Sequence, residues 1–498
     1  MLVNRKNFST VNKSYILIAL SLLLIASCSK KKEDTLFSKV SSNHSGISFN
    51  NKIVETDSFN ILTSEYIFNG GGVAVGDFNN DGKPDLFFTG NQVANKLYLN
   101  QGDFKFKDVS AASGVEALDK WKTGAAVIDI NNDSLLDIYV CAAMYESPEE
   151  KANMLYINQG VDDNGVPIFK EMGKEYGVAD TGNSMNAAFI DYNKDGLLDL
   201  YVLNNVDIHI LPANYREKIT DGSSLSNDRL YRNNGDNTFT DVTLDAGITI
   251  EGYGLGVAIS DLNYDGWPDI YVSNDYLSND ILYINNGDGT FTDKIGEYVK
   301  HQSKFSMGSD VADFNNDGYL DILTLDMLGE TNYRLKTTIK ATNYNDYYMN
   351  DRYGYDYQYM RNMLQMGQGP NMPYSEIGLM AGVAKTDWSW SPLFVDADND
   401  GRKDLLITNG FPRDITDLDF GEFNFNVQKY LSTAQILDSI PVVKIPNYAY
   451  RNEGDGQFKD VGKEWGLNIP SFSNGAAFAD LDGDGDLDYV VSNINDEA

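Results

Sequence analysis

The stretch Asp77–Asp85 reads DFNNDGKPD, with side-chain oxygens at positions 1, 3, 5 and 9 and a glycine at position 6. Like charges so close repel: two unit charges ~4 Å apart cost roughly 4 kcal/mol at an effective dielectric of 20. Something must neutralise such a loop. The nonapeptide recurs as DINNDSLLD from Asp129, DYNKDGLLD from Asp191, DLNYDGWPD from Asp261, DFNNDGYLD from Asp313, DADNDGRKD from Asp396 and DLDGDGDLD from Asp480. Each copy follows a small-apolar run such as GVAVG or GAAFA. Each precedes a β-branched or aromatic run such as LFFTG or IYVSN. The unit is strand, loop, strand, termed A and B.

Between copies lies a second half-repeat. NKLYLNQGDFKFKDVSAASGV (95–115) supplies two more strands, C and D, and returns as DRLYRNNGDNTFTDVTLDAGI (228–248) and DILYINNGDGTFTDKIGEY (280–298). Four strands in each of seven repeats predict an all-β chain, a seven-bladed β-propeller with its loops between strands A and B. The N-terminal stretch LFSKVSSNHSGI (36–47) matches a D half, and the last copy has A and B only before NINDEA. The expectation is that an N-terminal strand closes the last blade. Its strand C is missing, so either the natural product continues beyond Ala498 or that blade is defective.

An all-oxygen loop suits calcium, a hard cation that takes six to eight oxygens. Positions 1, 3, 5 and 9 offer side chains, position 7 a carbonyl, and glycine at 6 permits a left-handed turn. The expected ligands are Asp77, Asn79, Asp81, Lys83 and Asp85 in the first loop, then Asp129, Asn131, Asp133, Leu135 and Asp137. The third and fourth offer Asp191, Asn193, Asp195, Leu197 and Asp199, then Asp261, Asn263, Asp265, Trp267 and Asp269. The fifth offers Asp313, Asn315, Asp317, Tyr319 and Asp321, and the sixth Asp396, Asp398, Asp400, Arg402 and Asp404. The last offers Asp480, Asp482, Asp484, Asp486 and Asp488, for up to seven calcium ions. An EF-hand would need glutamate at position 12 and flanking helices; that position is Phe88 and the flanks read as strands. Ser134 replaces the glycine and predicts the weakest site. Asp398 and Asp482 replace asparagine and predict the tightest. The ion reads as a staple for each A–B turn rather than a switch.

With these loops, GYGLGVAISDLNYDGWPDIYVSND (252–275), TDWSWSPLFVDADNDG (386–401) and SNGAAFADLDGDGDLDYVVSNIN (473–495) resemble FG-GAP/VCBS repeats. That family includes the integrin α-subunit propeller, bacterial VCBS-repeat lipoproteins and the cartilage acidic protein/ASPIC-UnbV group. The resemblance covers residues 36–498 and implies calcium binding and a surface location. The ASPIC/UnbV domain that often follows in the family is not expected within these 498 residues. An RNA-binding label carried by some members conflicts with the charge of −34, because phosphate binding needs a basic face. No nucleic-acid partner is expected.

The N-terminus reads as a processing signal. Arg5, Lys6 and Lys13 precede the apolar run YILIALSLLLIAS (15–27), too short to span a bilayer and suited to a secretory signal. It ends in Ile25, Ala26, Ser27 and Cys28, which resembles a bacterial lipobox and implies lipidation of Cys28. The expected divisions are a signal peptide at 1–27, a tether at 28–35 and the propeller at 36–498. The expected location is the outer membrane, with SKKKED (29–34) resembling a surface-export tag or serving as a plain solvated tether. The other cysteine, Cys141, sits in DIYVCAA and reads as a small core residue.

Loop spacing points to a binding face. First aspartates lie 52, 62, 70, 52, 83 and 84 residues apart. The excess over the shortest spacing falls between B and C at 142–152, 204–227, 328–360 and 411–446. In an up-and-down blade those turns lie opposite the A–B loops, and insertions on one face of a repeat protein often mark its binding side. The third insertion is rich in tyrosine, including Tyr347, Tyr348, Tyr355 and Tyr357, and the D–A turns of the same face carry Trp121, Trp388 and Trp390. These seven are candidate contacts for a glycan or a surface protein; alternatively the insert caps the central channel with its tyrosines inward. No metalloprotease, nucleophile-elbow or phosphate-loop motif occurs, and His44, His209 and His301 are scattered. A non-catalytic adhesion module is therefore expected. The alternative is a polysaccharide-acting enzyme, or an accessory subunit of a nutrient-uptake complex, using the insertion face.

Overall fold

The computed structural model describes residues 35–207, 214–339 and 343–498. The signal, the tether up to residue 34, Cys28, His209 and parts of the second and third insertions lie outside them. In the first sheet, strands Val73–Gly76, Asp85–Phe88, Lys96–Asn100 and Phe106–Asp108 pair in sequence order. Val73 faces Phe88 and Gly76 faces Asp85, so the nonapeptide is the A–B turn. The B strands Asp85–Phe88, Asp137–Ala143 and Asp269–Asn274 are buried throughout. Both faces of each pack against neighbouring sheets, which is why these runs are continuously apolar instead of alternating. Cys141 is among them and fully buried.

Five further four-stranded antiparallel sheets follow at 121–171, 184–241, 254–293, 309–376 and 389–460. The expected seventh is not complete. Strands Ser473–Ala479 and Asp488–Asn493 pair only with each other, so the β-propeller has six four-stranded blades rather than seven. The expected N-terminal strand is also absent: the segment instead carries a helical turn, Ser42–Ser45, ended by Gly46 at φ 76°. The reason is that strand D pairs with strand C alone, so without a C strand residues 37–40 have no ladder to join.

The N-terminal segment nevertheless follows the repeat's register. Phe37 N–H donates to the Trp465 carbonyl at 2.8 Å, as Phe291 N–H does to Ala246. A Cβ on Gly46 would lie 2.6 Å from the Phe106 carbonyl oxygen, and Gly114, Gly177 and Gly247 approach the carbonyls of Phe169, Phe239 and Phe291 in the same way. Bridges from Asn50 to Glu497 and from Asn51 to Ile494 complete the tie.

The A strands surround the axis. A cavity of about 200 Å³ is lined by Gly72, Gly124, Asn186, Gly256, Gly308, Pro392 and Gly475, among others from the same runs. A Cβ on Gly124 would meet the Met185 carbonyl at 2.8 Å, and one on Gly475 the Gly71 carbonyl at 2.7 Å. Small residues in these runs let adjacent inner strands approach closely.

Opposite the loops, the insertions build a cap. Helices Asn332–Thr337, Tyr344–Tyr353, Leu418–Val427 and Thr433–Asp438 lie in the third and fourth insertions. Ile61, Phe68, Trp121, Trp388, Phe411, Phe420 and Leu437 share one core cluster, so the N-terminal segment, the D–A turns and the insertions pack as one body. Buried polar contacts fasten it. Asp275 accepts from Tyr66 Oη at 3.2 Å and from Tyr276 N–H at 2.7 Å. Burial pushes its carboxyl up to about 8, against those two hydrogen bonds. A folded pKa above the unfolded one favours the fold fully below the unfolded value, and that contribution fades as pH rises through the folded pKa. At saturating calcium, the stability of the native chain relative to an Asp275→Asn variant is therefore expected to fall from about pH 4 to about pH 8 and to level off above, read as urea midpoints. A pH-independent difference would refute this assignment.

Candidate metal loops and the insertion face

The seven loops share one hydrogen-bond scheme. The position-1 carboxylate accepts from the amides of positions 5 and 6; in the first loop Asp77 takes Asp81 N–H at 3.0 Å and Gly82 N–H at 2.7 Å. Position 5 accepts from position 7, as Asp81 does from Lys83. Position 9 accepts from position 2, as Asp85 does from Phe78 at 3.0 Å. Each carboxylate thus ties down the loop that carries it and still has lone pairs toward its centre.

Positions 4 and 6 are left-handed. Asn80, Asn132, Lys194, Tyr264, Asn316 and Asn399 have φ between 54° and 63°, and position 6 is glycine everywhere except Ser134, at φ 68°. A Cβ on Gly82, Gly196, Gly318, Gly401 or Gly485 would meet nothing within 4 Å. The handicap of Ser134 is then backbone strain and not a clash. Ser134→Gly is expected to stabilise the chain by about 1 kcal/mol, measurable by denaturant titration.

Neighbouring loops touch through position 4. Asn80 donates to the Ser134 carbonyl at 3.0 Å, Asn316 to the Gly401 carbonyl at 3.0 Å and Asn399 to Asp486 at 2.6 Å. Lys194 Nζ sits 4.2 Å from the Trp267 ring centroid, and Tyr264 packs edge-on against Tyr319.

The electrostatics are unfavourable without a cation. Burial, reinforced by the carboxylates at positions 5 and 1, raises Asp85, Asp137, Asp199, Asp269 and Asp321 to about 7. Asp404 and Asp488 rise to about 6. Oxygens of Asp396, Asp398 and Asp404 lie within 4.8 Å of one another, and so do those of Asp480, Asp482 and Asp488. Asp398 Oδ1 is buried with no hydrogen-bond partner. An all-oxygen donor set with an orphaned carboxylate oxygen fits a hard divalent cation. These are the two loops in which aspartate replaces asparagine at position 3.

The insertion face differs from its sequence reading. Trp121, Trp388, Trp390 and Tyr355 are all at least nine-tenths buried. Trp388 stacks on Phe411 with centroids 3.9 Å apart, and Trp390 Nε1 donates to the Gly410 carbonyl at 3.0 Å. These four build the cap and offer no face to a ligand. Of the other candidates, Tyr348 and Tyr357 are exposed, and Tyr347 is half-buried with its edge toward Tyr357. Sequence reasoning missed Phe425 and Tyr430, which are 78% and 83% exposed at the end of the Leu418–Val427 helix and just beyond it. Phe425 follows the buried Phe420 by five residues, about 140° around the helix from it; that offset was the available signal.

A family model described as FG-GAP-like repeat matches residues 77–140, 219–272, 261–324 and 445–491. Mouse cartilage acidic protein 1 is 27% identical over 139 residues, 26% of this chain and 20% of its own length. A T-cell immunomodulatory protein homolog of Plasmodium yoelii yoelii is 25% identical over 359 residues, 59% of this chain and 49% of its own. The chain thus spans between a fifth and a half of the curated relatives it matches. Among solved structures, an Agrocybe aegerita lectin described as recognising non-reducing terminal N-acetylglucosamine aligns over 88% of this chain and 89% of its own. Its TM-score is 0.42 at 15% identity, a likeness on which no argument rests.

Proposed function

We propose that this chain, which matches a model of FG-GAP-like repeats over residues 77–140, 219–272, 261–324 and 445–491, is a calcium-stabilised adhesion module whose insertion face binds a glycan or another surface protein. The observation that carries the reading is a division of labour between the two faces. The converging carboxylates lie in the A–B loops, while the opposite face carries a packed cap with Tyr344, Tyr348, Phe425 and Tyr430 in solvent. Exposed aromatics on a rigid support bind at low entropic cost.

Calcium in the loops would be held by the carboxylates at positions 1, 5 and 9, the oxygen at position 3 and the carbonyl at position 7. When bound it neutralises those carboxylates and links the start and end of each A–B turn. Seven loops filled in this way, lipidation at Cys28 and an outer-membrane location all belong to this proposal. Intact mass of the mature protein from membranes tests the anchor: a diacylated or triacylated Cys28 is expected, and a free N-terminus elsewhere would refute it.

The face is tested by glycan arrays and by pull-down from native membranes. Tyr348→Ser with Phe425→Ser is expected to weaken the captured interaction at least tenfold with an unchanged melting temperature, because both side chains are exposed. Undiminished capture would refute the assignment of this face. Turnover of a captured polysaccharide would favour the enzyme alternative.

A further inference from the structure

The inner strands touch one another in turn: Val73–Gly76, Trp121–Ile128, Ser184–Ile190, Gly254–Ser260, Ser309–Ala312 and Ser389–Val395. Ser473–Ala479 lies against both Ser389–Val395 and Val73–Gly76, so the ring of inner strands is closed around an axial channel. Each of these strands runs directly into the first aspartate of its loop. Acidic loops therefore surround one mouth of the channel.

The opposite mouth is shut. Gly72 N–H donates to the Thr123 carbonyl at 3.1 Å and Gly308 N–H to the Trp390 carbonyl at 2.9 Å, each across adjacent sheets. Asn474 Nδ2 donates to the Phe68 carbonyl at 3.0 Å and Asn91 Nδ2 to the Gly70 carbonyl at 2.9 Å. Phe68 and Met307 belong to the apolar cluster of the cap. Exposure changes along the strands accordingly. Trp121–Thr123 are buried and Gly124–Ile128 half-buried; the last four residues of Gly254–Ser260 are half-buried too. The channel is thus a blind well that opens among the loops and ends under the cap, with the cavity of about 200 Å³ at its floor.

The floor is neutral and chemically two-sided. Asn186, Ser309, Ser391 and Asn474 bring amides and hydroxyls, Leu255 and Met307 bring apolar surface, and no acidic or basic side chain lines it. Ser309 Oγ and Asn474 Oδ1 are buried without a hydrogen-bond partner. Such an atom is costly, and a hydroxyl met by rotation of its side chain recovers that cost. The neighbouring carboxylate, Asp310, is already engaged: its oxygens accept from Val311 N–H at 2.9 Å and Phe394 N–H at 2.7 Å. The volume is that of about seven waters at ~30 Å³ each. It lies below the ~300 Å³ at which pockets for drug-sized ligands begin, so neither an oligosaccharide nor a folded peptide fits. A floor without fixed charge gives no grip on a metal ion or a phosphate, and the aspartates around the mouth repel anions.

We propose that the floor of this well binds one neutral polyhydroxylated molecule of monosaccharide size. Its hydroxyls pair with Asn186, Ser309, Ser391 and Asn474, and its C–H face lies on Leu255 and Met307. The site is separate from the insertion face, and the inference stands whatever that face binds.

The test is saturation-transfer NMR and calorimetric titration of the full chain, in millimolar calcium, with D-glucose, D-galactose and D-mannose. Saturable binding of at least one sugar at one site per chain is expected, with D-glucuronate at least tenfold weaker. Asn186→Leu combined with Ser309→Ala should weaken binding at least tenfold, whereas Tyr348→Ser with Phe425→Ser should leave it unaltered. Hydrogen exchange of the native chain keeps the test sound if the first pair disturbs the inner strands. The bound sugar should slow amides of residues 185–187 and 307–311 and leave those of 344–353 unchanged. Absence of saturation up to about 10 mM would overturn the proposal. So would equal binding of D-glucuronate, native affinity in a folded Asn186→Leu, Ser309→Ala chain, protection confined to the insertion face, or a crystal grown with the sugar in which water alone fills the well.

Discussion

Chelation of divalent cations is expected to lower the melting temperature by about 10–20 °C, with recovery when calcium is restored. A site of Kd ~10⁻⁴ M in about 1 mM calcium contributes roughly 1.4 kcal/mol by linkage. Seven loops together reach roughly 10 kcal/mol, comparable with the whole stability of an ordinary domain. The position-9 carboxylates explain why the metal-free state is poor: buried Asp85 and Asp269 are pushed to about 7 by burial and by neighbouring aspartates. Magnesium should restore little, because it demands compact octahedral geometry and gives up its water reluctantly. A melting curve indifferent to chelator would leave the loops stabilised by their own hydrogen bonds alone.

The second large effect is expected at Arg334. Its guanidinium donates to both oxygens of Asp387 at 2.8 Å and to Asp414 at 2.6 Å. Asp387 lies in a D–A turn and Asp414 in the fourth insertion, and both carboxylates are buried. Arg334→Met would leave two buried charges unpaired and should cost about 3–5 kcal/mol. The loss should fall on the cap, as faster proteolysis in residues 332–353 and a lower denaturant midpoint. Adding Asp387→Asn and Asp414→Asn should return part of it. A single variant indistinguishable from the native chain would show that the cap is held by its apolar cluster without this triad.

What the sequence disclosed and what it hid follow different physics. The A–B turns were legible because the nonapeptide is local: side chains at fixed offsets bond backbone within the same nine residues, and glycine or asparagine marks each left-handed position. The B–C location of the insertions was legible because strand order in an up-and-down sheet sets which end each turn occupies. The incomplete last sheet was half legible. The N-terminal stretch carried the D-half pattern, but a D strand forms only beside a C strand, and Ser473–Ala479 and Asp488–Asn493 pair only with each other. The tryptophans misled because exposure is a property of what covers a residue. Trp121 and Trp388 lie under the cap, with Phe59 against Trp121 and Phe411 on Trp388. These contacts join segments far apart in sequence, which no short-range pattern reveals. Conversely, Phe425 of LDFGEFNFNV was not among the candidate contacts, yet it points into solvent.

The central claim is that the A–B loops bind calcium as a set. Its most direct test is the number of calcium ions retained per chain, counted by equilibrium calcium titration after chelator treatment. The account predicts up to seven, with the sixth and seventh loops filling first and those two tightest sites lost when Asp398→Ala and Asp482→Ala are combined. A chain that retains no calcium at millimolar concentration, or a double variant with the native number and affinities, would contradict it.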